Sequence, residues 1–316
     1  MSDPVHRGTR AWRSALGLVG ALVVMIGFFG VCSHHFLSAA TFTTIANQIP
    51  DLLVMSVGMT FVLLIGGIDL SVGSILAFAG SVIGVAALRW GWSPWAAAAA
   101  GLLASGAAGA LTGLVCVLWR APSFIVSLGM LEIARGLAYR LTDSRTAYIG
   151  DTFDWMGNPW ALGIAPAFVV AVAIAALGQW ILSRTVFGRH ATAIGTNEEA
   201  VRLVGVDSRP YKVAIFAASG ALAGLAALFQ ISRLEAADPN AGVGMELQVI
   251  AAAVIGGTSL MGGRASIVNT VLGALVIAVL EAGLAQVGAS EPTKRIITGA
   301  VIVGAVVLDR YRVRRV

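Results

Sequence analysis

The chain has 316 residues, 58% of them hydrophobic and only 12% charged. A soluble domain carries about 25% charged residues, so half the usual number are missing and much of the exterior must face lipid. The formal charge of +5 does not point to nucleic acid, because the basic residues sit between apolar runs; the two cysteines, Cys32 and Cys116, lie at or inside such runs without metal-ligand spacing.

Arg7, Arg10 and Arg13 precede an apolar run from Ala15 to Val31. It is longer than the roughly 7–15-residue core of a cleaved signal, and more such runs follow, so it reads as a retained first span. With about 20 residues as the norm for a crossing, about ten spans are expected, near 14–32, 49–66, 72–88, 95–118, 122–141, 162–182, 213–231, 246–262, 266–288 and 295–308. Only Gly-rich breaks, around 66–72 and 262–266, separate two of the pairs. If the N-terminus is inside, 14 of the 21 basic residues fall on the inner side, among them Arg310, Arg312, Arg314 and Arg315. Six fall outside, and Arg135 lies within a span. The excess of basic residues on cytoplasmic loops then places both termini in the cytoplasm.

Asn47 and Gln48, at the outer end of the second span, are weak polar candidates for a pathway. The break that follows, Gly66-Gly-Ile-Asp-Leu-Ser-Val-Gly-Ser74, holds the most informative residue, Asp69. An unpaired carboxylate at membrane depth costs about 2.5–3.5 kcal/mol, so it usually faces a cavity or a partner. The glycines permit turns closed to other residues, and the peptide groups freed there need polar partners. Asp69 therefore either lines a pathway or caps the helix beginning near Ser71; the two roles are compatible. In the next span Gly101, Ser105, Gly109 and Gly113 recur every four residues, a small-residue face for close helix packing. Glu132 and Arg135, three apart in the fifth span, are spaced to neutralise each other on one helix face, the alternative being contact with a substrate.

The connection from Ser183 to Lys212 is the largest inner loop. Within Gly195-Thr-Asn-Glu-Glu-Ala-Val-Arg-Leu-Val-Gly205, Thr196 or Asn197 can cap a short helix. Glu198 and Glu199 suit its positive end, and Gly205 can stop it. Val201 and Val204 would share one side, and an apolar stripe with a charged rim, Arg202 included, fits docking to another protein. Further on, Ile255-Gly-Gly-Thr-Ser-Leu-Met-Gly-Gly263 repeats Ile65-Gly-Gly-Ile-Asp-Leu-Ser-Val-Gly73 at an offset of 190 residues. Each copy follows one apolar span and precedes another, as in a parallel duplication, and matched Gly-interrupted helices point to a transport route. Gly66, Gly67, Asp69, Ser71 and Gly73, with Gly256, Gly257 and Ser259, are the candidate pathway residues. The only lysines, Lys212 and Lys294, follow no phosphate-cradling loop, and no stretch can house a nucleotide-binding domain. With no metal cluster or nucleophile elbow either, the chain is not expected to be an enzyme or to carry a cofactor.

Four ordered segments resemble the ribose-type sugar permeases of ABC importers: Gly58-Met-Thr-Phe-Val-Leu-Leu-Ile-Gly-Gly-Ile-Asp-Leu-Ser-Val-Gly-Ser74, Pro122-Ser-Phe-Ile-Val-Ser-Leu-Gly129, Gly188-Arg-His-Ala-Thr-Ala-Ile-Gly-Thr-Asn-Glu-Glu-Ala200, and Glu246 through Arg264. The likeness covers nearly the whole chain. Departures are Gln248, where the family commonly has an acidic residue, and Ala265 and Asn269, where it favours Gly. The resemblance implies an all-α polytopic permease domain spanning 1–316, with repeat copies near 49–118 and 246–308. It would sit in a bacterial inner membrane and import a monosaccharide. The implied partners are a cytoplasmic ATPase, a periplasmic sugar-binding protein, membrane lipid and a second permease subunit, the same chain or a related one. Gly195, Asn197, Glu198, Glu199, Arg202 and Gly205, within the loop 183–212, would then receive the ATPase stroke. A branched-chain amino-acid permease is the nearest alternative, but its related motifs lack the full Ile-Asp-Leu-Ser-Val-Gly run. An ion-coupled transporter usually holds several ionisable residues in its spans. This chain has little beyond Asp69, Glu132, Arg135 and Glu281.

Overall fold

A computed structural model describes residues 4–314; Arg315, counted above with the inner basic residues, lies outside them. Among the described residues the chain forms fourteen α-helices. The first four are α1 (Pro4–Cys32), α2 (Ala39–Gln48), α3 (Pro50–Leu64) and α4 (Val72–Leu88). Next come α5 (Pro94–Leu118), α6 (Ser123–Thr142), the single turn α7 (Asp154–Gly157) and α8 (Pro166–Arg184). Two shorter helices, α9 (Val186–Thr196) and α10 (Glu198–Leu203), precede α11 (Arg209–Leu234). The chain closes with α12 (Met245–Ile255), α13 (Ile267–Gln286) and α14 (Glu291–Arg314). Among the described residues the extended structure is one antiparallel pairing of two-residue strands, Ala147–Tyr148 with Ala236–Ala237.

Among the described residues five helices, α1 from Ala15 on, α5, α8, α11 and α13, are long and apolar enough to cross a membrane. The pair α2 and α3 makes a sixth if counted as one span bent by 47°. The second expected span is thus a kinked pair that begins ten residues early. Pro50 opens α3 because a missing N–H costs nothing in a first turn. Helices α4 and α12 are apolar but short, and α6 carries Glu132, Arg135 and Arg140.

Burial sorts the helices into layers. Every residue of α3 except Phe61 is buried, as are 13 of the 17 residues of α4, so helices apolar all round form the centre. The main core joins Leu53, Met55, Leu63 and Leu64 of α3 to Ile75 and Leu76 of α4, Phe216 and Phe229 of α11, and Val249 of α12. The outer helices expose large apolar side chains instead, such as Val24, Leu103, Ile133 and Val169. That inside-out pattern suits hydrocarbon rather than water. The expected small-residue stripe packs as read: Gly101, Ser105, Gly109 and Gly113 are all buried. At the α5–α11 crossing, a Cβ on Gly109 would overlap the Phe216 carbonyl oxygen, and one on Gly220 would overlap that of Ser105.

Candidate functional site

After α3 the chain turns through Gly66, at φ 74°, and becomes helical again at Val72. The peptide groups freed here find partners on α6. Ser123 Oγ accepts from the Ile68 N–H at 2.9 Å, and Ser127 Oγ accepts from the Leu70 N–H at 3.1 Å. The two serines stand four residues apart, hence on one helix face. The sequence offered this signal in Pro122-Ser-x-x-x-Ser127, which the reading above used only as part of a resemblance.

Asp69 is fully buried. Its Oδ1 accepts from the Ser71 N–H at 2.9 Å and from the Ser71 hydroxyl at 2.5 Å, which satisfies a free donor at the start of α4. Its Oδ2 has no partner among the described residues. In the first turn of α4 Gly73 lies against the loop before α12, where a Cβ would overlap the Gly242 carbonyl oxygen.

The second break begins at Gly256, packed on the Asn269 backbone of α13, and turns at Gly257 with φ 82°. Ser259 closes a compact turn, donating its N–H to Arg264 O at 2.9 Å and accepting from the Met261 N–H at 3.2 Å. The two breaks then meet directly. The Gly263 N–H donates to Leu64 O, at the end of α3, at 2.9 Å. The same point receives Gly195 of α9, whose Cβ, were there one, would overlap Leu64 O and come within 2.6 Å of the Gly263 nitrogen. A Cβ on Gly262 would lie 2.6 Å from Gly195 O and 3.0 Å from the Gly66 nitrogen. Three stretches of main chain from distant parts of the sequence form one joint that only glycine allows.

The loop beyond the joint is more helical than expected, since α9 was not foreseen. Asn197 caps α10 by accepting from the Ala200 N–H at 3.0 Å, and Gly205, at φ 85°, follows its end, both as read. Glu198 anchors the loop to α11 through Lys212 Nζ at 2.7 Å and Ser208 Oγ at 2.6 Å. Burial pushes this carboxyl up, but the hydrogen bonds from Lys212 and Ser208 outweigh it and hold Glu198 below the ordinary glutamate range. Glu199 and Arg202 lie 3.6 Å apart and largely in the open, where such a pair adds about 0–1 kcal/mol. The apolar face differs from the reading. Val201 is buried, whereas Val204 is 78% exposed and joins Leu203, at 81%, at the tip of the loop. A cavity of about 540 Å³ runs from Gly66 and Gly67 past Cys116 and Arg120 to Glu198, Arg202 and Lys212.

At the other end of α3 and α11 lies a second polar region. Arg233 bonds Asp51 at 3.0 Å and donates to the Asn47 and Gln48 carbonyls at 3.2 and 3.3 Å, pinning the α2–α3 kink. The Asn47 side chain is committed to the Gly163–Ala165 loop. The expected Glu132–Arg135 pair does not form. Arg135 instead donates to the Pro239 and Ala241 carbonyls at 2.6 and 2.8 Å, because the loop before α12 offers unpaired acceptors within its reach.

Lipid-suited apolar outer helices around a buried, glycine-jointed centre define an all-α, multi-pass membrane protein. The chain belongs to the family described as "Branched-chain amino acid transport system / permease component", whose model matches residues 41–306. It is 37% identical to the ribose import permease protein RbsC of Escherichia coli K12 over 314 residues, 96% of each chain. It is 36% identical to the D-allose transport system permease protein AlsC of the same strain over 294 residues, covering 92% of this chain and 89% of that one. The L-arabinose ABC transporter permease protein AraH of Azospirillum brasilense is 33% identical over 299 residues, 94% of this chain and 87% of its own length.

Proposed function

We propose that this chain is the membrane-spanning subunit of an ABC importer that carries a monosaccharide into the cytoplasm of a bacterium. The observation that bears most weight is the joint of Gly66, Gly195 and Gly262–Gly263, which links both motif breaks to the α9–α10 loop. In this reading Gly66, Gly67, Asp69, Ser71 and Gly73, with Gly256, Gly257 and Ser259, form the hinge along the translocation route. Gly195, Asn197, Glu198, Glu199, Arg202 and Gly205 shape the surface on which a cytoplasmic ATPase bears, and Leu203 and Val204 are its apolar contact. A periplasmic binding protein delivers the sugar, and a second permease subunit, identical or related, completes the channel. About ten crossings in two related halves, both termini in the cytoplasm and a place in the inner membrane complete the proposal. The relatives named for sugars favour this cargo over branched-chain amino acids.

Native purification in detergent, with mass spectrometry of whatever accompanies the chain, tests the assembly. Recovery of an ATPase with a phosphate-binding loop is expected, and Glu198→Lys with Glu199→Lys should release it while leaving membrane insertion intact. Nucleotide-free transport by the chain alone in vesicles refutes the proposal in favour of an ion-coupled carrier.

A further inference from the structure

The Asp51 and Leu64 ends of α3 are about 20 Å apart at 1.5 Å per residue, so the Arg233 region lies far from the glycine joint. There two cavities, of about 210 and 620 Å³, share three polar side chains: Gln48 at the end of α2, Gln248 on α12 and Glu281 on α13. Gln248 Nε2 donates to Glu281 Oε1 at 2.6 Å. The second Glu281 oxygen, the Gln248 carbonyl and the Gln48 amide make no hydrogen bond within the described residues. Asp51 is already taken by Arg233, so that ion pair is wall rather than ligand. Ile45, Leu52 and Met245 supply apolar wall beside these groups.

A carboxamide offers a carbonyl acceptor and two N–H donors, whereas a carboxylate only accepts. Two carboxamides and one carboxylate oxygen facing a small cavity match adjacent hydroxyls, each of which both donates and accepts. Lys294 and Arg295 line only the larger cavity. In the smaller one the one cation among the described residues, Arg233, is held by Asp51, so an amino acid's carboxylate would find no free cation there and would face Glu281 as a like charge. Half the 210 Å³ cavity's lining is apolar, which suits the C–H face of a sugar ring, and the volume equals roughly seven waters at about 30 Å³ each. We propose that Gln48, Gln248 and Glu281 form a weak binding site for one uncharged monosaccharide at the mouth of the route. This rests on the importer reading and deepens it. Weakness is part of the function, since a conducting site must also let its cargo leave.

The test is saturation-transfer NMR on the full chain in lipid nanodiscs, without nucleotide or partner, titrated with D-ribose, D-allose, L-arabinose and L-leucine. At least one sugar should bind saturably in the millimolar range, and leucine should not. Gln248→Met and Glu281→Met should each weaken that binding by about tenfold or more. Glu281→Gln, which keeps a carbonyl acceptor, should lose less. Each variant's melting profile is measured alongside, so that misfolding is separated from loss of binding. Absence of saturable sugar binding, binding unchanged in properly melting Gln248→Met and Glu281→Met, or equal binding of leucine overturns the proposal. ATP-driven sugar uptake that persists in those cases leaves the importer reading standing. Sugar binding without any ATP-driven uptake does the reverse.

Discussion

Gly195→Ala puts the smallest side chain into the tightest point of the molecule. The added Cβ meets Leu64 O and the Gly263 nitrogen, both main-chain atoms that no rotamer change can move aside. Either α9 lifts or the Gly263 N–H to Leu64 O bond opens. Overpacking costs about 1–3 kcal/mol, and leaving that donor and acceptor unpaired adds about 1–3 kcal/mol. Alanine returns about 1 kcal/mol through better helix propensity, so the net loss is about 1–5 kcal/mol. Gly136→Ala is the control: it lies mid-helix in α6 with nothing within 4 Å of its would-be Cβ, so it gains propensity and meets no clash. Thermal unfolding of the purified chain in one detergent, followed by tryptophan fluorescence, is the assay. Gly195→Ala should melt several degrees below wild type and Gly136→Ala at or above it. A Gly195→Ala protein that melts with wild type refutes the joint as described.

Ser123→Ala with Ser127→Ala should destabilise by about 2–6 kcal/mol, at about 1–3 kcal/mol for each stranded N–H; the same melting assay checks it, and a loss below 1 kcal/mol would show that water serves Ile68 and Leu70 equally well. Arg233→Met strands the buried Asp51 carboxylate and should lower stability by about 3–5 kcal/mol, most of it recovered when Asp51→Asn is added, as measured in a double-mutant cycle. Glu198, held below its usual range by Lys212 and Ser208, stabilises the loop above the unfolded value of about 4.3 and stops doing so as pH falls through its lower folded value. The melting difference between wild type and Glu198→Gln should therefore be full at neutral pH and fade below about pH 4, and a pH-independent difference contradicts this. Asp69→Leu should abolish uptake in cells, whereas Asp69→Asn, which keeps an acceptor for Ser71, should retain part; full uptake by the leucine variant reduces Asp69 to a cap.

The local features were legible because they depend on neighbours in sequence. Asn197 capping α10, Gly205 following it and Asp69 serving Ser71 all act over two or three residues, and the stripe of Gly101 to Gly113 is a plain period of four. What needed the third dimension was the encounter. Nothing in residues 65–73, 195 or 255–263 taken singly says that they meet, since the contact is between main-chain atoms that carry no residue identity. Arg135 was misread for a related reason: spacing gave Glu132 as a partner, but carbonyls about a hundred residues later lay closer. The α2–α3 kink was missed because Ala39–Gln48 is too polar to read as part of a span, and its anchor, Arg233, comes from the far end of α11.

A joint built from main chain has no slack. Side chains absorb small displacements by changing rotamer, but Gly195, Leu64 O and the Gly263 N–H have none to change. Under the function proposed above, a push on the α9–α10 loop reaches both motif breaks through main-chain contacts. The cavity walls at the Arg233 end are side chains instead, which substitution can reshape without touching that joint. The two ends of α3 can thus be altered separately by mutation.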